Sequence, residues 1–469
     1  MSISTHKLSL KEKISYGFGD LASVLYWQTF MLYFTYFYTD VFLIPASVAA
    51  TMFLISRIWD GINDPMMGII ADRTKTRWGK FRPYLLWMCV PFAIAGVLAF
   101  TTPDFSLTGK IIWAYATFIL IMMLYTAINI PYTALMGVIS PSSIERTSVS
   151  SIKFIFAFAA GIIVSATLLP MTQILGGGNE QKGWQLSFVI YGIFAIIFFL
   201  IAFRGTRERV LPPKNQKANI KKDIKELVTN KPWLILLATT ITFILFVAIR
   251  SSVTVHYFKY VIGTQEINLP FIGTGTYDFV TLTSVYNTVG QISSLLGVLI
   301  VTIVAKKIGK KKTFLLYFII AIFSTGILYV LTAKELGLIY FFQITGSLTG
   351  GPLSVLLWAM YADTADYAEW KKGRRATGLI FSASTMSQKF GWAFGAFVAL
   401  NLMSQVGFQP NEAQNPGSLR GLLLLFSLIP AAMGIISVLI SLAYPLNDKR
   451  VAVIESELEV RRRKDEQEN

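Results

Sequence analysis

Apolar runs of about twenty residues recur along the whole chain, separated by short polar segments. They fall at roughly 18–42, 46–70, 84–102, 110–134, 150–174, 186–204, 233–262, 279–305, 313–332, 337–361, 377–404 and 420–445. Each is long enough to cross a bilayer as a helix. The pattern predicts an all-α membrane protein with twelve transmembrane helices, and an even number returns both ends of the chain to one side. The longest polar interruption lies in the middle. It divides the chain into a six-helix half (1–204), a linker (205–232), a second six-helix half (233–446) and a charged tail (447–469).

Composition sharpens this picture. Hydrophobic residues make up 54% and charged residues 14% of the chain, and mean hydropathy is +0.56. A soluble protein carries about 25% charged residues. The net charge of +16 would suit nucleic acid, but its distribution argues otherwise. Lys and Arg gather in alternate connections: Arg73, Lys75, Arg77, Lys80 and Arg82; Arg146; the linker; Lys306, Lys307 and Lys310 to Lys312; and Lys371, Lys372, Arg374 and Arg375. That is the positive-inside pattern, and it predicts cytoplasmic termini. The lone Cys89 excludes a disulfide framework, and His6 and His256 are too far apart in sequence for a metal-ligand spacing. The linker contains Pro212-Pro213 and a lysine-rich stretch, 220–227, read as solvated rather than lipid-bound. The tail, with Val451, Ile454, Leu458 and Val460, predicts an amphipathic cytoplasmic helix.

The segment 68–73 ends the second run, and the basic segment around 297–312 ends the eighth. This echo supports two related halves, the layout of a major facilitator fold with a substrate path between them.

Candidate chemistry sits where lipid should exclude it. The second run contains Arg57, Asp60, Asn63 and Asp64, and a charge at mid-membrane costs about 2.5–3.5 kcal/mol on insertion scales. Asp60 and Asp64 are four apart, so on a helix they share a face. They can offer oxygen ligands to one cation, with Thr126 and Asn129 adding a hydroxyl and a carbonyl. The plain alternative is an Arg57–Asp60 salt bridge at i,i+3, which still leaves Asp64 without a local partner. A protonatable aspartate would serve a proton instead. Trp27, Gln28, Tyr125, Lys153, Trp358 and Lys389 place aromatic faces and polar groups within other runs. A sugar with apolar faces and a hydroxyl rim suits such a site, although most aromatics in membrane helices are packing residues. The segment 72–83 sets topology by its charge. Its Asp72, Arg73 and Arg77, with Arg146, Asp363 and Asp366, are candidates for gating contacts.

The runs 57–65, 68–72 and 79–83 are similar to the signature of the glycoside–pentoside–hexuronide:cation symporters, the family of the melibiose permeases. Further matches are Tyr38-Thr39-Asp40, Tyr125-Thr126 with Ile130-Pro131, the segment 362–369, and Lys389. The resemblance covers about residues 16–400. It implies that Asp60, Asp64, Thr126 and Asn129 line the coupling-cation site, occupied by sodium, lithium or a proton. Position 129 is an aspartate in the melibiose permeases, so this site is one carboxylate poorer. Their first-span sugar contacts align with Ser23 and Val24, a fifth-span arginine with Phe154 beside Lys153, and two tryptophans with Thr133 and Ser354. Trp27 and Gln28 share a helix face with Val24, and Trp358 lies one turn past Ser354. The start of the chain looks nearer the xyloside and glucuronide branch.

The expectation is therefore a cation-coupled importer of a glycoside, pentoside or hexuronide in a bacterial inner membrane. It is not expected to be an enzyme; no cofactor and no nucleic acid is expected, and a monomer is the working state. The rivals are a proton-driven exporter of drug-like or lipid substrates on the same fold, a membrane enzyme, and a sugar sensor that binds without transporting.

Overall fold

A computed structural model of the chain describes residues 7–140, 143–209, 228–269, 273–372 and 377–468. The 220–227 stretch, Arg374 and Arg375 lie outside the described residues, as does the side chain of Asp72. All twelve apolar runs are helical. The helices are α1 (Leu10–Tyr36), α2 (Ala46–Arg73), α3 (Arg82–Trp87), α4 (Cys89–Ala99), α5 (Leu107–Val138), α6 (Ser143–Gly176) and α7 (Glu180–Gly205). They continue with α8 (Lys231–His256), α9 (Phe279–Ile308), α10 (Lys310–Gly326), α11 (Leu336–Gly350), α12 (Leu353–Lys372) and α13 (Thr377–Gln405). The last are α14 (Pro416–Phe426), α15 (Leu428–Leu442) and α16 (Asp448–Glu468). By length and composition alone, 7 of the described helical segments are apolar enough to cross a membrane. The long α1 and α2 are more polar, because they carry the charges described below.

Local chemistry explains where these helices start. Ser9 caps α1 by accepting Glu12 N–H (3.2 Å), and Asn179 caps α7 by accepting Lys182 N–H (2.9 Å). Such caps satisfy donors that a helix start otherwise leaves open. Within the apolar helices, hydroxyls return to their own backbone. Thr29 donates to Leu25 O and Thr117 to Trp113 O, both at 2.8 Å, so neither hydroxyl hydrogen is left facing hydrocarbon.

The chain forms two compact units. One is Met1–Lys214, Phe258–Thr288 and Leu400–Ser418; the other is Asn215–Tyr257, Val289–Ala399 and Leu419–Asn469. In the first, α1 packs on α6 and α7, and α2 packs on α5. In the second, α8 packs on α15 and α10 on α11, around a core that includes Phe243, Phe318, Leu357 and Tyr361.

Two helices end alike: α1 runs into a π-helical turn at Phe37–Val41 and α8 into another at Tyr257–Ile262. Residues from both turns meet inside the first unit. Lys259 Nζ donates to Asp40 Oδ1 (2.9 Å) and to Asn411 Oδ1 (2.6 Å), and Tyr260 OH also donates to Asp40 Oδ1. The ammonium lies over the rings of Tyr36 (5.0 Å) and Phe279 (5.6 Å). Asp40 is 3% exposed, so its charge needs this full set of donors. A hairpin follows the second π turn, with β1 (Gln265–Leu269) antiparallel to β2 (Gly273–Tyr277).

At the α2–α3 connection the basic segment is pinned by one carboxylate. Glu208 accepts the backbone N–H groups of Lys80 (2.9 Å), Phe81 (2.7 Å) and Arg82 (3.0 Å). Gly79 makes this possible. Its φ is +110°, and an added Cβ would collide with the Glu208 carboxylate. Next in sequence, Arg209 holds Glu12 through two hydrogen bonds of 2.7 and 2.8 Å, and Glu12 pushes the guanidinium further above its ordinary pKa.

Candidate functional site

Two helices of the first unit carry all four predicted cation ligands, and each has a proline inside it: Pro65 in α2 and Pro131 in α5. A proline has no N–H for the carbonyl four residues earlier. Pro65 thus withholds the helical partner of Gly61 O, beside Asp60, and Pro131 that of Ala127 O, beside Thr126. The sequence supplies backbone oxygen next to carboxylate and hydroxyl oxygen.

Asp60 and Asp64 have different surroundings. Arg57 Nη1 donates to Asp60 Oδ2 at 2.7 Å, with both side chains almost fully buried. Thr126 Oγ1 donates to Asp64 Oδ1 at 2.9 Å, joining α5 to α2. Asn129 turns its amide to its own helix, donating to Tyr125 O at 3.0 Å. That leaves its side-chain oxygen as what it can offer a guest. The i,i+3 pairing that the spacing allows is therefore present, and it involves Asp60 only.

The structure adds a residue that spacing alone did not assign to the site. Asn63 has a buried Nδ2 with no hydrogen-bond partner among the described residues. It lies three residues after Asp60 and next to Asp64, on the same side of α2 as Asp60. That i,i+3,i+4 spacing was the available signal. Among the described residues no three His, Cys, Asp or Glu side chains converge as metal ligands. The oxygen set here is two carboxylates with neutral hydroxyl, amide and backbone groups, which suits a hard ion.

The aromatic wall adjoins this cluster. Trp27 stacks on Tyr125, with centroids 5.6 Å apart and planes 29° apart. The Arg57 guanidinium lies over the Trp27 ring at 5.0 Å and over Phe53 at 4.9 Å. Arg57 Nε and Nη2 are buried without hydrogen-bond partners among the described residues, so this charge rests on Asp60 and two ring faces. Nearby on α1, Asp20 faces Lys153 of α6 at 3.5 Å, and Lys153 Nζ lies 6.0 Å from the Tyr132 ring. Gln28 is half-buried beside Trp27.

Trp358 and Lys389 belong to the second unit. Trp358 packs partly buried against that unit's core, with Tyr361 at 6.0 Å, and Lys389 is half-buried on α13. Of the gating candidates, Asp363 binds Lys310 Nζ at 2.5 and 2.7 Å. Arg77 lies over its neighbour Trp78 at 4.6 Å, and Arg146 donates to Ser140 O at 2.8 Å. Arg73 is exposed in the last turn of α2, and Asp366 is half-buried on α12.

A pair of acids borne on a membrane helix, beside an aromatic wall, suits a transporter better than a catalyst. The model of the MFS/sugar transport proteins matches residues 15–448. The chain belongs to that family. This transporter is 33% identical over 453 residues to the putative glycoside/cation symporter YagG of Escherichia coli (strain K12), covering 96% of this chain and 95% of that one. It is 36% identical over 423 residues to the isoprimeverose transporter of Lactiplantibacillus pentosus, covering 89% and 85%. Among solved structures, the nucleoside transporter NupG shares the fold with a TM-score of 0.61 at 12% identity, covering 93% of this chain and 99% of that one. The protein is a multi-pass membrane transporter of the major facilitator fold, and not an enzyme.

Proposed function

We propose that this transporter imports a glycoside, pentoside or hexuronide together with a cation, by alternating access. The observation that carries the reading is the contact chain Asp60–Arg57–Trp27–Tyr125. Asp60, Asn63, Asp64, Thr126 and Asn129, with the carbonyls freed by Pro65 and Pro131, form the cation site. Trp27 and Tyr125 form a platform for a sugar face, with Gln28 and Lys153 reading hydroxyls or a carboxylate. The second unit's own candidates for sugar contact are Trp358 and Lys389. Arg57 joins the cation site to the platform. A cation at Asp60 competes with the guanidinium for the same carboxylate, and any shift of the guanidinium moves the charge lying on Trp27. Cation binding then alters the sugar platform, and the sugar must alter cation affinity by the same factor.

The relatives' names support this reading: one is a putative glycoside/cation symporter and one transports isoprimeverose. Nothing in the site favours export of drug-like substrates. The same reading puts the protein in a bacterial inner membrane, as a monomer, with both termini cytoplasmic by its lysine and arginine distribution. The test is equilibrium binding of a transported glycoside at varied sodium, lithium and pH. Its affinity should rise with one cation in the unaltered protein and lose that dependence in Asp60→Asn. Affinity insensitive to all three would refute the coupling.

A further inference from the structure

The second unit contains a cavity that the transport site does not use. It has a volume of about 1000 Å³ and lies where α9 turns into α10, bounded also by α12 and the start of α16. Its wall is divided by chemistry. Ala305, Leu315, Val355 and Ala359 make an apolar side over the buried Val301 and Leu356, and Val355 is 42% exposed. The rim is basic: Lys306, Lys307, Lys310, Lys311, Lys312 and Lys449.

Two of those lysines are already engaged. Lys310 binds Asp363, and Lys311 donates to Leu442 O (2.9 Å) and Tyr444 O (2.6 Å). The acid in the lining, Asp448, is turned onto the backbone, where its Oδ1 accepts Lys310 N–H at 3.2 Å. The side chains of Lys306, Lys307, Lys312 and Lys449 have no ion pair or hydrogen bond among the described residues. Four such lysines, against the single carboxylate of Asp448, thus line one opening together with hydrocarbon side chains. Water alone would satisfy the lysines but not the exposed apolar wall, and a free anion would do the same. A molecule with a phosphate at one end and an acyl chain at the other satisfies both.

We propose that this cavity is a binding site for an anionic diacyl phospholipid. The phosphate sits among Lys306, Lys307, Lys312 and Lys449, and an acyl chain lies along Leu315, Val355 and Ala359. Basic pockets between membrane helices on the cytoplasmic side suit anionic headgroups, each lysine favouring them about fivefold. The sequence places this end of the helices in the cytoplasm.

The experiment is native mass spectrometry of the detergent-purified full chain, titrated separately with phosphatidylglycerol, with phosphatidylcholine and with inorganic phosphate. Phosphatidylglycerol adducts should form at least roughly tenfold more readily than phosphatidylcholine adducts, with no matching phosphate adduct. The quadruple variant K306Q/K307Q/K312Q/K449Q should lose that preference. Neutralising four lysines could also disturb insertion, so Ala359→Trp keeps the charges and fills the apolar wall. It should weaken phosphatidylglycerol binding while the protein's melting temperature is kept. Equal binding of the two lipids, phosphate binding as strong as lipid binding, or an unchanged lipid affinity in Ala359→Trp would each overturn the proposal.

Discussion

Arg57 holds Asp60 at 2.7 Å while its guanidinium lies 5.0 Å from the centre of the Trp27 ring. One buried side chain thus touches both the acid read as a cation ligand and the aromatic read as a sugar platform. Removing one partner of a buried ion pair leaves an uncompensated charge and costs about 3–5 kcal/mol. Removing both costs much less.

Arg57→Met and Asp60→Leu should therefore each lower the melting temperature of the purified protein by more than the double variant does. Separate melts of the three variants check this. Additive effects would mean that the pair is not coupled.

Thr126 donates its hydroxyl to Asp64 across α2 and α5. A hydrogen bond to a charged group contributes about 1.5–3 kcal/mol. Thr126→Val should weaken cation affinity by roughly tenfold or more, and Thr126→Ser should restore most of it. Cation titration of tryptophan fluorescence reads both. Sugar affinity measured at saturating cation should change less.

The stacked Trp27 and Tyr125 make the opposite split. Trp27→Ala removes the ring on which Arg57 rests and on which a sugar face would lie. Sugar affinity should fall by about tenfold, the scale of one aromatic stacking interaction in a desolvated site, and cation affinity should fall less. Calorimetric titration with each ligand alone separates the two.

Glu208 accepts three consecutive backbone N–H groups that begin α3, and Gly79 leaves the space for it. Glu208→Ala should destabilise the protein by about 2–4 kcal/mol, since buried donors lose a charged acceptor. Gly79→Ala should do the same by strain and collision. Hydrogen exchange at residues 80–82 should rise in both variants, and protection unchanged from the parent would contradict the cap.

Much of this was legible in the sequence because it is local. Apolar runs set the helices, and i,i+3 and i,i+4 spacing set Arg57 against Asp60 and Asp60 beside Asp64. The Thr126 partnership was legible only as a shared site; which acid it binds depends on how α2 meets α5. Asn129 was read as a ligand by its oxygen, but its amide competes for Tyr125 O in its own helix, a backbone alternative that spacing does not rank. What escaped entirely joins distant segments. Asp40, Lys259 and Asn411 meet across 219 and 152 residues, and no periodicity encodes that. Glu208 sat in a polar link where charge reads as topology, and its role as a cap appears only with Gly79 folded beneath it. The Gln265–Tyr277 hairpin was hidden in a connection rich in glycine and threonine.

In the proposed mechanism Asp60 and Asp64 couple a cation to sugar entry, and this coupling is what uptake reads. Its most direct test is uptake of labelled glycosides, pentosides and uronides into proteoliposomes under an imposed sodium, lithium or proton gradient, comparing the parent with Asp64→Asn. Gradient-driven accumulation with at least one cation is expected in the parent. In the variant, accumulation should be lost while equilibrium exchange of sugar persists. Accumulation that needs no cation gradient, or that is unchanged in Asp64→Asn, would contradict it.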